Sequence, residues 1–413
     1  MEYSFGFGKG KLKFNIDEKN VSNVLLPNEV ELDLTGVEEV KRAMDNPISS
    51  SKLKDIVKTG ENVVIVTSDI TRPMPSKIVL PVVIEELNSA GIKDENITIV
   101  FALGSHRDHT EDEKKYLVGE EIYERIKCID SNSTEYIHLG ITANGTPVDI
   151  NKEVAKADRR ICLGNIEYHY FAGYSGGAKA IMPGVSTRAA IQANHSRMVE
   201  EEARTGNIKT NPVRIDIDAV EKFVPIDFIV NVVLDSSKKI IKTVAGHYID
   251  AHREGCRFLD SFYKINIKEK ADIVITTPGG YPKDLNLYQA QKALDNSKHA
   301  VKDGGIIILV ASCKEGLGEK VFEQWMLNFE KSEDMIEEIK RNFQLGGHKA
   351  AAIAMILKKA KIFLVSELDP DFVRSIFMEP FSDVQSAVDA AFNEKGDNAK
   401  VILMPFGGST LPD

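Results

Sequence analysis

The chain has 413 residues, 43% of them hydrophobic and 28% charged, as in an ordinary globular protein with two or three domains. Its net charge of −10 argues against a nucleic acid or an anionic membrane as the main partner, because both require clustered positive charge. The apolar runs are too short to cross a membrane, and the 4 cysteines form no CxxC pair, which fits a reducing compartment. We therefore predict a cytoplasmic protein that can still bind a small anion in a local basic pocket.

The first fifty residues alternate short β-like runs with polar turns. Two such runs, Leu12–Ile16 and Val30–Leu34, are assigned loosely to strands. We place both runs in an N-terminal domain that is predicted to span residues 1–265.

From residue 62 onwards, strand and helix patterns alternate. The β-branched run at 62–70 predicts a strand buried on both faces, and Pro75–Asn88 predicts the following helix. A second buried strand is predicted at Asn96–Leu103, before a helix that begins with the capping box of Thr110 and Glu113. Arg160–Gly164 predicts a third strand. This alternation indicates βαβ units around a mainly parallel sheet.

A second α/β domain is predicted for residues 266–413, where strand and helix patterns alternate again. Its predicted elements are a strand in ADIVITT, helices at Leu285–His299, Lys320–Phe329, Asp334–Phe343, His348–Lys359 and Asp383–Asn393, and strands at Gly305–Ala311, Lys361–Ser366 and Lys400–Pro405. The predicted fold class is therefore α/β, with two domains and mainly parallel sheets.

Polar clusters follow the three predicted strands of the first domain. They are Asp69–Arg72, Ser105–Thr110 and the segment from His169 onwards. Ligands of parallel α/β sheets bind at the carboxyl ends of the strands, so we expect one pocket built from three loops. Arg72 forms either an ion pair with Asp69 or a bidentate site for a carboxylate or phosphate. In the second loop, His106 is the better pocket candidate, whereas His109 is expected to support the turn.

The segment EYHYFAGYSGGAKAIMPG places His169 and Lys179 around a glycine-rich turn, and His195 follows it. A lysine in such a turn can neutralise a phosphate or act as an amine nucleophile, and apolar neighbours lower its pKa. Histidines transfer protons near neutral pH or bind transition metals. The GYSGGAK stretch departs from the phosphate-loop motif at Ala178 and Ala180, which disfavours a nucleoside triphosphatase.

In the second domain, YQAQK places Gln289 and Lys292 on one face of a helix, directly after Tyr288. This face is either solvated or part of a lid that carries polar groups to a cleft.

Together, DITRP, GSHR, EYHYFAGYSGGAKAIMPG, the Asn194–His195 pair and YQAQK resemble the nickel-dependent lactate racemase (LarA-type) family over the whole chain. The resemblance implies two α/β domains with the active site in the interdomain cleft. It implies a nickel-pincer nucleotide, which is Ni(II)-pyridinium-3,5-bisthiocarboxylic acid mononucleotide, and cofactor-biosynthesis proteins that activate the enzyme. The implied reaction is racemisation or epimerisation of a 2-hydroxy acid by hydride transfer to this nucleotide.

The resemblance also implies roles for individual residues. These are proton transfer by His106 and His169, cofactor binding by Asp69, Ile70, Thr71, Arg72, Lys179 and His195, nickel coordination by His195, and substrate binding by Arg72, Tyr288, Gln289 and Lys292.

The chain departs from the family at the substrate wall. Lactate-specific members close the pocket around the substrate methyl group with a tryptophan from the second domain. The single tryptophan here, Trp325, lies in a predicted helix core, and the GGHKAAAIA run offers only small side chains where that wall is expected. A 2-hydroxy acid larger than lactate is therefore the predicted substrate. Two alternatives are a non-catalytic carrier of the nickel cofactor and a nicotinamide-type 2-hydroxy-acid oxidoreductase, although no GxGxxG motif follows a strand.

Overall fold

The computed structural model describes residues 1–235 and 237–413, which fall into two units. The larger unit is Val30–Asp260, and the smaller unit combines Met1–Glu29 with Ser261–Asp413. Within the described residues, no helix is both long enough and apolar enough to cross a membrane. The chain begins in the smaller unit with three strands, β1 (Glu2–Phe7), β2 (Gly10–Asn15) and β3 (Val21–Val24).

The larger unit alternates strands and helices. Its strands are β4 (Val63–Ser68), β5 (Ile97–Ala102), β6 (Lys127–Asp130), β7 (Tyr136–Ile141), β8 (Pro147–Asn151), β9 (Arg159–Asn165), β10 (Tyr168–His169), β11 (Gly173–Tyr174), β12 (Phe228–Leu234) and β13 (Ile240–Gly246). Its helices are α1 (Gly36–Asp45), α2 (Leu53–Ile56), α3 (Ser76–Ser89), α4 (Glu111–Val118), α5 (Glu120–Arg125), α6 (Lys152–Lys156), α7 (Arg188–His195), α8 (Pro212–Ala219) and α9 (Asp250–Tyr263), the last of which ends just beyond the unit.

A six-stranded sheet with the order β13-β12-β9-β4-β5-β6 forms the centre of the larger unit. All neighbouring strands run parallel except β13, which pairs antiparallel with β12 at one edge. Ile65, Phe101 and Leu163 of the sheet pack with Val79 and Leu80 of α3 in one apolar core. Burial of the strands explains their continuous β-branched sequences, and the predicted parallel sheet is confirmed.

The predicted elements around the polar loops agree with the structure to within two residues. β4, β5 and β9 occupy the three predicted strand positions. The capping box is also present, because Thr110 Oγ1 accepts the Glu113 N–H at 3.2 Å and the Glu113 carboxylate accepts the Thr110 N–H at 2.9 Å. The predicted strand at Val30–Leu34 is wrong, since this stretch is irregular and the strand lies earlier, at β3.

The smaller unit contains a parallel sheet with the order β18-β17-β16-β15-β19-β3, which confirms the predicted fold class of mainly parallel α/β sheets. Its strands after β3 are β14 (Lys264–Ile265), β15 (Ala271–Thr276), β16 (Val301–Val310), β17 (Ala360–Val365), β18 (Glu379–Phe381), β19 (Val401–Met404) and β20 (Leu411–Pro412). Its helices are α10 (Leu287–Ser297), α11 (Lys320–Asn328), α12 (Ser332–Arg341), α13 (Gly347–Leu357), α14 (Pro370–Ser375) and α15 (Val384–Lys395).

The N-terminal segment lies in the smaller unit, whereas the sequence prediction placed it in a domain of residues 1–265. β3 extends the smaller sheet by pairing in parallel with β19. Phe5 and Phe14, from the β1–β2 hairpin, share an apolar core with Ile273 and Leu403. This long-range strand pairing, which leaves no trace in the local pattern, assigns residues 1–29 to the unit that also holds residues 261–413.

Candidate active site

The three polar loops of the larger unit meet at one edge of its sheet. β4 lies between β9 and β5, and all three strands run in the same direction, so their carboxyl ends are neighbours. Asp69 directly follows β4, and the Gly104 N–H donates to the carbonyl oxygen of Gly184 at 2.9 Å, which connects the loop after β5 to the glycine-rich segment. The predicted convergence of the three loops is confirmed.

Asp69 and His106 form a close pair in this region. Asp69 is only 2% exposed, and its Oδ2 lies 2.5 Å from His106 Nδ1, while Thr71 Oγ1 donates to Asp69 Oδ1 at 2.9 Å. Burial raises the pKa of the Asp69 carboxyl, but the hydrogen bond and charge of His106 and the charge of Arg72 outweigh it, so the pKa is lowered overall. The carboxylate thus accepts a hydrogen bond from Nδ1–H, which places the lone pair of a neutral His106 ring on Nε2.

His109, in the loop after β5, contacts the backbone of the loop after β4. The His109 ring is buried against Phe101, at a centroid distance of 5.1 Å. Its Nδ1 donates to Asp130 Oδ1 at 2.6 Å, and its Nε2 accepts the N–H of Ile70 at 3.0 Å. His109 was expected to support only its own turn, but it also fixes the backbone of the Asp69–Arg72 segment.

Phe171 brings three of the predicted site residues together. Its ring is 3% exposed and packs edge-on against the rings of His169 and His195, with centroid distances of 4.5 Å and 4.9 Å. The Nζ atom of Lys179 lies 5.9 Å from the same ring centroid. One amine and two imidazoles that are well separated in sequence therefore share a single aromatic neighbour.

His169 lies in a tight hairpin, where it pairs across β10 and β11 with Gly173. Its Nδ1 accepts the N–H of Ala172 at 3.2 Å, so the proton of the neutral ring is on Nε2. Burial lowers the pKa of His169 well below its usual value, and the positive charges of Lys179 and Arg72 lower it further. The ring is therefore neutral near pH 7 and presents Nε2–H as a donor.

Lys179 lies in the 3-10 turn Gly177–Ala180, which two glycines introduce. Gly176 and Gly177 have φ values of 78° and 62°, a region that favours glycine. A Cβ atom on Gly176 would also approach Asn231 Oδ1 to 2.8 Å, and this oxygen accepts the Gly177 N–H at 2.7 Å. Burial lowers the pKa of the Lys179 ammonium group well below its usual value, and so does nearby positive charge. This agrees with the direction predicted from the apolar neighbours.

His195 is the last residue of α7, and its orientation depends on the adjacent asparagine. His195 Nδ1 lies 2.9 Å from Asn194 Oδ1. The Asn194 amide nitrogen donates to the Val213 carbonyl at 3.2 Å and to Asp216 Oδ2 at 2.8 Å, so Oδ1 is the acceptor and His195 Nδ1 the donor. The lone pair of His195 is thus on Nε2, the nitrogen that a metal ion would use.

Arg72 is exposed, and among the described residues no salt bridge holds its guanidinium group. The interpretation as a structural ion pair with Asp69 is therefore wrong, because Asp69 pairs with His106. The charge of Arg72 nevertheless lowers the pKa values of Asp69, His169 and Lys179. Arg72 is thus close enough to the Asp69–His106 pair and to the residues around Phe171 to act on an anion bound near either of them.

In the smaller unit, Tyr288, Gln289 and Lys292 lie in the first two turns of α10, whose N-cap Asn286 accepts the Gln289 N–H at 3.0 Å. The side chains of Gln289 and Lys292 are exposed. Burial and the charge of Lys292 lower the pKa of the nearby Lys283 ammonium group. Two lysine amino groups, those of Lys283 and Lys292, thus lie near each other at this end of α10.

Trp325 is 6% exposed on α11, and its Nε1 donates to Gln344 Oε1 at 2.8 Å. The indole leaves no space for a Cβ atom at Gly347, the first residue of α13. Trp325 is therefore a core residue, as predicted. The GGHKAAAIA run was expected to offer only small side chains, but Lys349 Nζ lies 3.8 Å from the ring centroid of Tyr288 and donates to its carbonyl at 2.5 Å.

Two structural partners of the site were missed by sequence reasoning. Phe171 was overlooked because an aromatic residue among apolar neighbours has the pattern of a core residue. Arg214, which is fully buried behind the glycine-rich loop, lies in NPVRIDID without any motif. A charged residue flanked by Val213 and Ile215 in an amphipathic stretch was the one available signal.

Comparisons with known proteins agree with this architecture. Residues 7–206 match the lactate racemase N-terminal domain, and residues 266–411 match the lactate racemase C-terminal domain. A lactate racemase from Thermoanaerobacterium thermosaccharolyticum is 36% identical over 98% of this chain and 97% of the relative. A lactate racemase from Lactiplantibacillus plantarum is 34% identical over 97% of each protein. The solved structure of the T. thermosaccharolyticum lactate racemase apoprotein superposes with a TM-score of 0.90, at 34% identity and 100% coverage of both chains.

The fold and the matched domains define a two-unit α/β isomerase. The chain belongs to the lactate racemase family.

Proposed function

We propose that this chain interconverts the enantiomers of a 2-hydroxy acid, either lactate or a larger one, with a nickel-pincer nucleotide attached to Lys179. The observation that carries the proposal is the grouping of His169, Lys179 and His195 around Phe171. Family membership supports the reaction class, because the relatives that match along nearly the whole chain are lactate racemases.

The residues present fit such a cofactor. Asn194 holds His195 through Nδ1, which places the lone pair of the neutral ring on Nε2, and nickel(II) favours an imidazole together with sulfur donors. The Lys179 amine, with its lowered pKa, is suited to covalent attachment. The Asp69–Arg72 segment adds a hydroxyl and a guanidinium group for the nucleotide. When bound, the nickel-pincer nucleotide supplies an acceptor for the hydride of the 2-hydroxy acid.

Two histidines handle the hydroxyl proton in this proposal. His106, held by Asp69 through Nδ1, has a lone pair on Nε2 and accepts a proton. His169, whose Nδ1 accepts the Ala172 N–H, has its proton on Nε2, and its neutral ring can donate a hydrogen bond from this nitrogen to the substrate oxygen. For one enantiomer, His106 thus accepts the hydroxyl proton and returns it as an imidazolium ion. We assign the same role to His169 for the opposite enantiomer, in the ring tautomer that has its lone pair on Nε2.

The substrate carboxylate requires cationic and polar anchors. We propose that Arg72, Tyr288, Gln289 and Lys292 bind it. Arg72 supplies a guanidinium group that no carboxylate of the described chain engages, and Lys292 and Gln289 are exposed. The burial of Trp325 beside Gly347 supports a substrate larger than lactate. Because this indole is held in the core, it does not serve as the wall that closes the pocket around a methyl group in lactate-specific members.

Substitution of the two proton-transfer histidines tests the enzyme against the carrier alternative. Protein produced together with the cofactor-biosynthesis proteins is assayed for conversion of each enantiomer of several 2-hydroxy acids by chiral chromatography. His106→Ala and His169→Ala should lose turnover and retain nickel. His138→Ala is the matched control, because His138 Nδ1 also contacts a carboxylate, Asp149 Oδ1 at 2.7 Å, on an exposed surface.

Retained turnover in either histidine variant contradicts the proton-transfer roles. Intact-mass measurement provides the second test, since Lys179→Ala should lack the mass of the nucleotide. Activity on lactate alone would remove the proposal of a larger substrate. A change in absorbance that requires added NAD would favour the oxidoreductase alternative.

A further inference from the structure

The glycine-rich loop that leads to Lys179 is held from behind by buried donors. Arg214, on α8, is fully buried and donates to the carbonyl oxygens of Ala172 (3.4 Å), Gly176 (3.3 Å) and Tyr174. His252 Nε2 donates to the Ser175 carbonyl at 2.7 Å. Carbonyl oxygens along this turn are thus bound by side chains, and most of these bonds come from one guanidinium group.

The guanidinium group of Arg214 is only partly neutralised. Its nearest carboxylate, Asp218 Oδ1, lies 3.6 Å from Nη1. The same carboxylate also pairs with Arg253 Nη2 at 2.5 Å, so one negative charge is shared by two positive charges. Full burial of a guanidinium group is costly, and neutral donors would satisfy the same carbonyls without that cost. Hydrogen bonding to the loop carbonyls therefore does not explain why the buried donor at this position is positively charged.

We propose that Arg214 is a positioning residue for Lys179, which fixes the loop through its carbonyls and places a positive charge behind the amine so that the amine stays neutral and nucleophilic. This inference rests on the proposed role of Lys179 as the cofactor attachment point. After burial, Arg214 is the largest contributor to the lowered pKa of Lys179, followed by Arg72, whereas Glu167 opposes the shift.

The groups packed around the Lys179 turn have charges of both signs. The elements next to this turn carry Arg214, Asp216 and Asp218 on α8, Glu167 and His169 after β9, Asp69 and Arg72 after β4, and His252 and Arg253 on α9. Among these, the charges of Arg214, Arg72 and Glu167 act on the pKa of Lys179.

The experiment measures the reactivity of Lys179 in the full-length protein without cofactor. Trace acetic anhydride labels lysines in competition with a free amine over a range of pH, and mass spectrometry of the Lys179 peptide gives the titration and rate. Arg214→Gln removes the charge but keeps a donor, whereas Arg214→Lys keeps the charge. Arg160→Met is the matched control, because Arg160 is also buried and donates to three carbonyls at the C-terminal end of α6, at 2.7–2.9 Å.

In the wild-type protein, Lys179 should titrate well below an ordinary lysine. Arg214→Gln should lower its labelling rate at neutral pH about tenfold, which corresponds to one pKa unit. Arg214→Lys should lower it less than about threefold on the same scale, and Arg160→Met should leave it unchanged. Circular dichroism verifies folding of each variant.

Three results overturn the inference. An ordinary wild-type titration of Lys179 does so whether or not any variant folds. Equal rates in folded Arg214→Gln and wild-type protein reduce Arg214 to a structural role, and so does an equal loss in Arg160→Met. The labelling needs no cofactor, so a failure of the proposed racemase function would appear separately. In that case Lys179 would show the expected low-pH titration and Arg214 dependence, but the cofactor-loaded enzyme would show no turnover.

Discussion

Replacing Asp69 by asparagine tests the pairing with His106 on which the proton-transfer proposal depends. The carboxylate is 2% exposed and lies 2.5 Å from His106 Nδ1. An asparagine amide would either donate to Nδ1, moving the proton to Nε2, or accept through a weaker neutral hydrogen bond. In the first case His106 loses the lone pair that accepts the substrate proton.

The expected loss of rate follows from these two effects. A hydrogen bond to a charged group contributes about 1.5–3 kcal/mol, so loss of orientation alone lowers kcat about 10- to 160-fold. Loss of the base lowers kcat by the contribution of general base catalysis, which is about 10²- to 10⁴-fold. For Asp69→Asn we therefore expect kcat to fall at least about 10-fold, if only orientation is lost, and at most about 10⁴-fold, if the base is lost. KM should change less, because His106 contributes mainly to the transition state.

The assay is the initial rate of conversion of a single enantiomer, followed by chiral chromatography and divided by the cofactor occupancy from intact mass. This correction is required because Asp69 also lies in the segment proposed to bind the nucleotide. His138→Ala is the matched control, since it removes the exposed His138–Asp149 contact of 2.7 Å and leaves Asp149 in place. A rate within about threefold of wild type at equal occupancy, less than the orientation effect alone, would refute the assigned role of the Asp69–His106 pair.

Three further predictions concern the supports of the site. His109→Phe should accelerate hydrogen exchange of the Ile70 amide and weaken nucleotide retention, whereas His109→Gln, which keeps an acceptor, should restore both; equal exchange in the two variants would contradict this. Asn194→Ala should weaken nickel retention by His195 about 10- to 100-fold, measured by metal analysis after dialysis against a chelator; unchanged retention would exclude the orienting role. The folded-state pKa of Asp69 is lowered, so its contribution to the unfolding free energy is present above about pH 4 and disappears as the pH falls through the folded pKa. Denaturant unfolding at several pH values should show a smaller acid loss in Asp69→Asn, and equal losses would disprove the linkage.

The positions of the loops could be predicted from the sequence because they depend on local signals. Buried parallel strands have continuous β-branched runs, so the ends of β4, β5 and β9 were visible, and parallel pairing then placed Asp69, His106 and His169 at one edge. The capping box at Thr110 is equally local. The residues of these loops could therefore be assigned to one site from the sequence alone.

Contacts between distant segments were not accessible in the same way. Assignment of residues 1–29 to the smaller unit depends on the pairing of β3 with β19, and the sequence between them gives no indication of it. Phe171 and Arg214 were missed for a related reason. Each residue has an ordinary local pattern, and only the fold reveals that His169 and His195 share the Phe171 ring or that Arg214 lies behind the Lys179 loop.

The overall charge of −10 conceals a cationic interior at the site, and this contrast accounts for its chemistry. Arg72 and Arg214 are permanently charged, and both lower the pKa values of Lys179 and His169. Each fixed positive charge makes protonation of a neighbouring amine or imidazole less favourable, which favours the neutral forms of the Lys179 amine and the His169 ring. The same fixed charges attract a carboxylate. A site that keeps its reactive bases neutral by guanidinium charge therefore selects an anionic substrate by the same means.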